Sequence, residues 1–419
     1  MKQVEESLLA GLKRTVARVL TVPYYQERLA NIGVRTENDI KSIEDFQRLP
    51  LTSKEDLRLN YPFGLFAEPQ DKIVRLHASS GTTGKPTVVG YTQHDIELWA
   101  NMVAEELRRA GIGSRDVIQV AYGYGLFTGG MGLHYGSEAL GALTVPVSGG
   151  NTQRQLMLMK DFGTTVLACT PSYALYLGES LAEAGIKLKE LKLRKGVFGA
   201  EPWTEGMREE IEQRLGIEAY DIYGLSEIMG PGVSMECSEH NGLHIDGHFY
   251  PEVLDENGNP CPEGVKGELV FTSIDKEAFP VLRYRTKDLT TLRYGTCKCG
   301  HTGWTMERVS ARVDDMLIIR GVNVFPSQIE EAILSVAEVE PHYLLIVERV
   351  GSLDQLEVQV EVNSQSFNDE VRELETLQSR VQRRIEEIIG ISVRVRLVEP
   401  KTIARSEGKA KRVVDKRKA

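Results

Sequence analysis

Val117-Ile118-Gln119-Val120-Ala121, Leu143-Thr144-Val145-Pro146-Val147, Val166-Leu167-Ala168-Cys169, Gly196-Val197-Phe198 and Ala219-Tyr220-Asp221-Ile222 are five short apolar runs along one stretch of chain. They have the length and bounds of buried strands. Between them lie segments with helical spacing, among them Gln153–Lys160 and Glu205–Leu215. Strands that alternate with helices predict a mostly parallel α/β sheet, with ligand sites in the loops at the carboxyl ends of its strands.

Toward the N-terminus, Leu8, Leu9, Leu12, Val16, Val19 and Leu20 recur at helical spacing. Thr92-Gln93-His94-Asp95 reads as a capping box that opens a second helix, with Ile96, Trp99, Ala100, Val103 and Leu107 on one face and Gly111 beyond its end. Toward the C-terminus the chain becomes β-rich and glycine-punctuated: Glu252–Asp255, Asn257-Gly258, Gly267–Phe271 and Arg283–Arg293. One antiparallel subdomain, barrel-like or a sheet, is expected over about residues 235–310. The last hundred residues read as helix Ser327–Val336, strands His342–Glu348 and Gln355–Val362, helix Asp369–Ile389 and strand Val393–Val398. That is an α+β module, and the boundary is placed between residues 313 and 314, giving domains 1–313 and 314–419.

Bulk properties narrow the function. A chain of 419 residues exceeds what one hydrophobic core usually serves. Its net charge of −10 argues against a nucleic-acid binder, which normally shows a broad basic face. Met1–Leu20 lacks an apolar signal core, and no run reaches the roughly 18 apolar residues of a membrane span. Five cysteines fit a reducing compartment, so the reading is a cytoplasmic protein with neither membrane nor nucleic acid as partner. The basic tail from Lys409 to Lys418 reads as a solvated terminus, a polyanion site, or both.

Ser79-Ser80-Gly81-Thr82-Thr83-Gly84-Lys85-Pro86 suits a polyphosphate. Its glycines permit turns that aim N–H groups at phosphate, its hydroxyls donate, and Lys85 adds charge. Pro86 stands where a P-loop needs Ser or Thr for Mg²⁺, which argues against a Walker A motif.

This loop is followed by Gly199-Ala200-Glu201-Pro202, Tyr223-Gly224-Leu225-Ser226-Glu227, Tyr284-Arg285-Thr286-Lys287-Asp288, Arg312-Val313-Asp314-Asp315 and Arg405-Ser406-Glu407-Gly408-Lys409. In that order the six stretches resemble the motifs of adenylate-forming enzymes. Across nearly its whole length the chain is similar to the phenylacetate-CoA ligases, with Tyr122–Gly130, Asp221–Gly232 and Asp315–Ser327 carrying the closer likeness. The resemblance implies a large N-terminal α/β domain and a small mobile C-terminal one. It also implies ATP, Mg²⁺ and coenzyme A as ligands, an aryl acid as substrate, and a homodimer.

Roles follow motif by motif from the resemblance. Ser79, Ser80, Gly81, Thr82, Thr83, Gly84 and Lys85 hold the β- and γ-phosphates. Gly199, Ala200, Glu201, Asp221, Gly224 and Ser226 belong to the nucleotide site, Tyr223 stacks on adenine, and Asp288 receives the ribose hydroxyls. Glu227 binds Mg²⁺, Arg312 contacts the α-phosphate or ribose, and Lys409 bridges the attacking carboxylate and the α-phosphate. Asp314 is the hinge, and Gly321 faces the CoA tunnel. Two positions depart from the pattern: Lys287 where glycine is common, and Ala404 where proline is.

Tyr122, Tyr124, Phe127 and Tyr135, among glycines, read either as a flat slot for an aryl acid or as core packing. Cys237, His244, Cys297 and Cys299 read either as a structural Zn²⁺ site or as free thiols, with His240, His248 and His301 as rival ligands. Two other functions stay open beside the ligase: adenylation with delivery to a carrier-protein thiol or an amine, and nucleotide binding without catalysis.

Overall fold

Thr92 accepts a hydrogen bond from the Asp95 amide while the Asp95 carboxylate accepts from the Thr92 amide, which closes the expected capping box and starts the helix Gln93–Arg109. Its apolar stripe buries Ile96, Trp99, Val103 and Leu107. The structure, a computed structural model, describes residues 2–79, 86–350, 353–363 and 371–418. Ser80, Gly81, Thr82, Thr83, Gly84 and Lys85 lie outside the described residues, as do Asp369 and Glu370 at the start of the expected long helix, which is described from Val371 to Ile389.

The chain divides into two compact units, each discontinuous in sequence. The first comprises residues 1–149, 164–168 and 220–308; the second comprises 150–163, 169–219 and 309–419.

In the first unit the strand Val117–Val120 lies between Leu143–Val145 and the run beginning at Val166, all parallel as the apolar runs predict. The β-rich region departs from expectation, because it belongs to two sheets rather than one subdomain. Phe249–Leu254, Gly267–Ser273 and Tyr284–Thr290 form an antiparallel sheet. Ser234–Glu236, Leu243–Ile245, Thr302–Met306 and Leu292–Thr296 pair antiparallel in that order, beginning against Ile222-Tyr223. A buried ion pair, Arg283 on Glu252 at 3.0 and 2.9 Å, crosses the first of these sheets just before the Tyr284–Asp288 motif. The cost of desolvating both charges offsets much of the attraction in such a pair.

In the second unit a sheet runs in the order Arg394–Val398, Leu353–Val362, Val339–Val350, Val413–Asp415. Ile329, Ile333, Leu345, Val358, Val381 and Ile385 are core members of this α+β module. The basic tail is partly built into this sheet. Val413–Asp415 pairs in parallel with Leu345–Val347. Arg412 lies on Glu330 at 3.3 Å and over the Tyr343 ring, and Arg417 lies on Asp354 at 2.7 Å. The segment contains an edge strand whose two arginines are paired, while Lys409, Lys411 and Lys416 are exposed. No helix among the described residues is long and apolar enough to cross a membrane.

Candidate active site

The loop after the strand Glu218–Tyr223 carries the densest set of expected residues in the first unit. A Cβ on Gly224 would stand 2.7 Å from the Gly230 Cα, so the loop crosses itself backbone against backbone. This fold of the loop leaves Ser226 and Glu227 buried. Glu227 Oε1 receives Lys54 Nζ at 3.2 Å and the Thr87 hydroxyl at 3.2 Å, and Thr87 shares a short hydrogen bond with Ser79. The Ser226 hydroxyl meets Thr128 Oγ1 at 3.1 Å, joining this loop to the helix Thr128–Leu140.

Tyr223 donates to Asp288 Oδ2 at 2.5 Å, bringing the expected adenine and ribose residues together. Asp221 is engaged elsewhere: its Oδ2 meets Arg308 at 3.3 Å and its amide donates to Glu236. Lys287 adopts φ +65° beside the irregularity in the pairing of Gly267–Ser273 with Tyr284–Thr290. That left-handed backbone explains why glycine suits the position.

Three residues that the sequence reading missed support Glu227. Lys54 and Thr87 touch it directly. The fully buried Lys276 donates to the Ile228 carbonyl at 2.7 Å and lies over the Tyr91 ring, and burial pushes its ammonium down to about 8. The position of Thr87 two residues beyond Lys85 was the available signal; for Lys276 there was none.

The four aromatic residues do not share one environment. Tyr122 is buried, Tyr124 and Tyr135 are half-buried, and Phe127 is exposed, its ring lying over Gly129. His134, not anticipated, stands edge-on to both Tyr124 and Tyr135, with the Tyr124 hydroxyl 3.3 Å from its Nδ1. Arg75 covers the Tyr135 ring at 4.5 Å.

Cys237, His244, Cys297 and Cys299 converge, their ligand atoms all within 4.8 Å of one another. Strand register does this: His244 pairs with Met235 on one side and Thr305 on the other, and Cys297 and Cys299 sit in the turn joining the next hairpin. The Cys237 and Cys297 sulfurs are 3.8 Å apart, too far for a disulfide of about 2.05 Å. That spacing matches two thiolates at about 2.3 Å on a tetrahedral zinc, which stand about 3.8 Å apart. His244 Nε2 lies 3.2 Å from Cys237 and 3.4 Å from Cys299, while its Nδ1 meets Thr305 Oγ1 at 3.0 Å. A partner on one ring nitrogen leaves the other directed at the thiols. Of the rival histidines, His240 stacks on Tyr220, His248 pairs with Asp275, and His301 stacks on His244.

The second unit holds the remaining expected residues. Gly199 ends the strand Lys195–Gly199, and Ala200 follows at φ +73°, a strained turn that delivers Glu201. Glu201 accepts from the amides of Ser172 at 2.8 Å and Ala410 at 2.9 Å. Arg312 makes a two-pronged contact with Asp314 at 3.0 and 3.2 Å, so the expected phosphate ligand and hinge are paired. Gly321, at φ +80° after Arg320 at +51°, makes the two-residue turn between Leu317–Ile319 and Val322–Val324. Lys409 is exposed in a turn stapled by Ser406, whose hydroxyl donates to the Lys409 carbonyl at 2.9 Å.

Residues 12–274 match a family model described as AMP-binding enzyme, and residues 321–417 one described as the AMP-binding enzyme C-terminal domain. The chain is 50% identical to the phenylacetate-coenzyme A ligase of Thermus thermophilus, covering 97% of this chain and 95% of that one. It is 53% identical to the phenylacetate-coenzyme A ligase of Escherichia coli, covering 94% and 91%. Among solved structures it is similar to a 2-hydroxyisobutyryl-CoA ligase in the postadenylation state in complex with 2-HIB-AMP. The TM-score is 0.93 at 27% identity, covering 100% of this chain and 90% of that one.

Proposed function

Since the chain belongs to the phenylacetate-coenzyme A ligase family of AMP-binding enzymes, we propose that its substrate is an aryl acid, phenylacetate or a close analogue. The reaction is ATP-dependent ligation of the acid to coenzyme A through an acyl-AMP. The observation that carries this reading is identity at about half of all positions over nearly the full length of the chain. The edge-to-face array of Tyr124, His134 and Tyr135 supports an aromatic acyl group.

In the first half-reaction a carboxylate oxygen of the acid attacks the α-phosphorus of ATP, and pyrophosphate leaves. Two anions must approach, so the protein's task is positioning and charge neutralisation. Tyr223 stacks on adenine and Asp288 accepts the ribose hydroxyls. The Ser79–Lys85 loop holds the outer phosphates. Glu227, oriented by Lys54 and Thr87, fits Mg²⁺, which prefers one or two carboxylates completed by phosphate oxygens and water. Magnesium supplies neutralisation of the polyphosphate charge. The Lys409 ammonium spans the carboxylate and the α-phosphate as charge moves between them.

In the second half-reaction the coenzyme A sulfur attacks the acyl carbon, the bond to the phosphate oxygen breaks, and AMP leaves. The second reaction needs Lys409 removed and the thiol admitted. Residues 314–419 turn as a domain about Asp314, whose pairing with Arg312 is exchanged in the process. The Cys237, His244, Cys297 and Cys299 cluster holds a structural Zn²⁺, since all four positions are filled by protein ligands.

The test is a panel of aryl and aliphatic acids with ATP and Mg²⁺, with and without coenzyme A, read by pyrophosphate release and mass detection of the thioester. Phenylacetate or a close aryl analogue is expected to give the highest kcat/KM and a thioester only with coenzyme A. A preference for aliphatic acids overturns the aryl reading. Pyrophosphate release with an acid but no thioester overturns the acceptor.

A further inference from the structure

The Lys409 turn is gripped from outside on both sides of the lysine. The Thr170 hydroxyl donates to the Gly408 carbonyl at 2.9 Å, and Glu201 accepts the Ala410 amide at 2.9 Å. One residue further out, the Thr152 hydroxyl donates to Glu407 Oε1 at 3.1 Å. Behind these, Arg405 is anchored on Glu361 and Glu179, at 2.8 Å to each. Both peptide groups that flank Lys409 are therefore bonded to side chains far away in sequence.

Each gripping side chain is itself fixed. Thr170 is the N-cap of the helix Pro171–Glu183, accepting from the Tyr173 amide at 3.3 Å while donating to Gly408. Glu201 uses its other oxygen on the Ser172 amide and follows the strained Ala200 turn. Thr152 opens the helix Thr152–Asp161. A helix cap, the first turn of a helix and a strained turn are rigid mounts, and a lysine stem with four rotatable bonds needs one if its ammonium is to reach a fixed point.

We propose that Thr170 and Glu201, on the backbone either side of Lys409, and Thr152, on the Glu407 carboxylate, form a clamp on the Lys409 turn, making them positioning residues for adenylation whose release accompanies the second half-reaction. The proposal rests on the reading of Lys409 as the adenylation lysine. The clamp consists of single hydrogen bonds to main-chain groups and to one carboxylate, with no apolar contact required of it. Such contacts break singly and re-form with water, which suits a segment that must hold for one reaction and leave for the next.

The test measures the two half-reactions separately: acyl-adenylate formation from acid and ATP, and thioester formation from supplied phenylacetyl-AMP and coenzyme A. Thr170→Val is expected to slow adenylate formation about tenfold while thioester formation changes by less than about twofold, and Thr170→Ser restores the first rate. Thr152→Val, which leaves the Thr170 cap intact, gives the same split. Lys409→Ala is run in parallel. Equal loss in both half-reactions for the threonine variants means the hydroxyls serve folding alone and overturns the clamp. Unchanged adenylation in those variants, with Lys409→Ala collapsed, overturns the clamp but spares the lysine. Unchanged adenylation in Lys409→Ala overturns the lysine reading, and the clamp with it.

Discussion

Lys409→Ala lowers the rate of acyl-adenylate formation by about 100- to 1,000-fold, the range found when one preorganised charge-stabilising donor is removed from a transition state. The turn Ser406–Ala410 is held by main-chain and neighbouring side-chain contacts, none of which needs the lysine ammonium, so the truncation leaves the backbone path intact. The charge is needed only while the carboxylate and the α-phosphate share it. Thioester formation from supplied acyl-adenylate has a different transition state, with charge passing from sulfur to the carbonyl oxygen and then to AMP, and is expected to stay within about threefold of the parent rate. Stopped-flow pyrophosphate release and single-turnover thioester formation read the two steps. Equal losses contradict the division of labour.

Removal of a cysteine from the metal cluster is the second large effect. The protein expressed with zinc is expected to carry about one zinc per chain, and Cys297→Ser or Cys237→Ser to lose it. A preformed four-ligand site contributes its metal-binding free energy to folding, so the loss is on the order of 3 kcal/mol or more, a fall of about 3–4 °C or more in Tm for a chain of this size. Cys237 and His244 are buried, so the variant also leaves unpaired groups in the core. Elemental analysis with thermal unfolding checks both parts. A parent protein without stoichiometric zinc contradicts the site, and zinc retained by both variants contradicts the ligand set.

Local chemistry was legible and long-range pairing was not. The capping box at Thr92 and the parallel strands around Val117 could be read because their signals lie within a few residues. The β-rich region read as strands, but which strand pairs with which is decided elsewhere. Leu292–Thr296 reaches Leu243–Ile245 through Thr302–Met306, and nothing in a six-residue pattern specifies a partner. The same register brings His244 to the three cysteines, so the Cys-x-Cys was visible and its geometry was not.

The candidate site divides along the same line. Glu227, Tyr223 and Asp288 lie in motifs, and Tyr223 and Asp288 do meet. Thr170 and Thr152 lie 238 and 255 residues from the groups they hold, and a lone threonine gives no hint of that. Arg412 and Arg417 looked like part of a solvated charge run because Glu330 and Asp354, which neutralise them, lie far back in the chain. At Lys287 the departure from glycine gained its meaning only with the backbone angle, φ +65°.

Activation of the acid as an acyl-adenylate is tested by isotope transfer. Phenylacetate carrying oxygen-18 in its carboxylate is turned over with ATP, Mg²⁺ and coenzyme A, and the products are analysed by mass. Attack on the α-phosphorus followed by thiol attack on the acyl carbon leaves one labelled oxygen on AMP. Heavy AMP, with unlabelled pyrophosphate, is the predicted result; unlabelled AMP, or ADP with label in orthophosphate, contradicts the account.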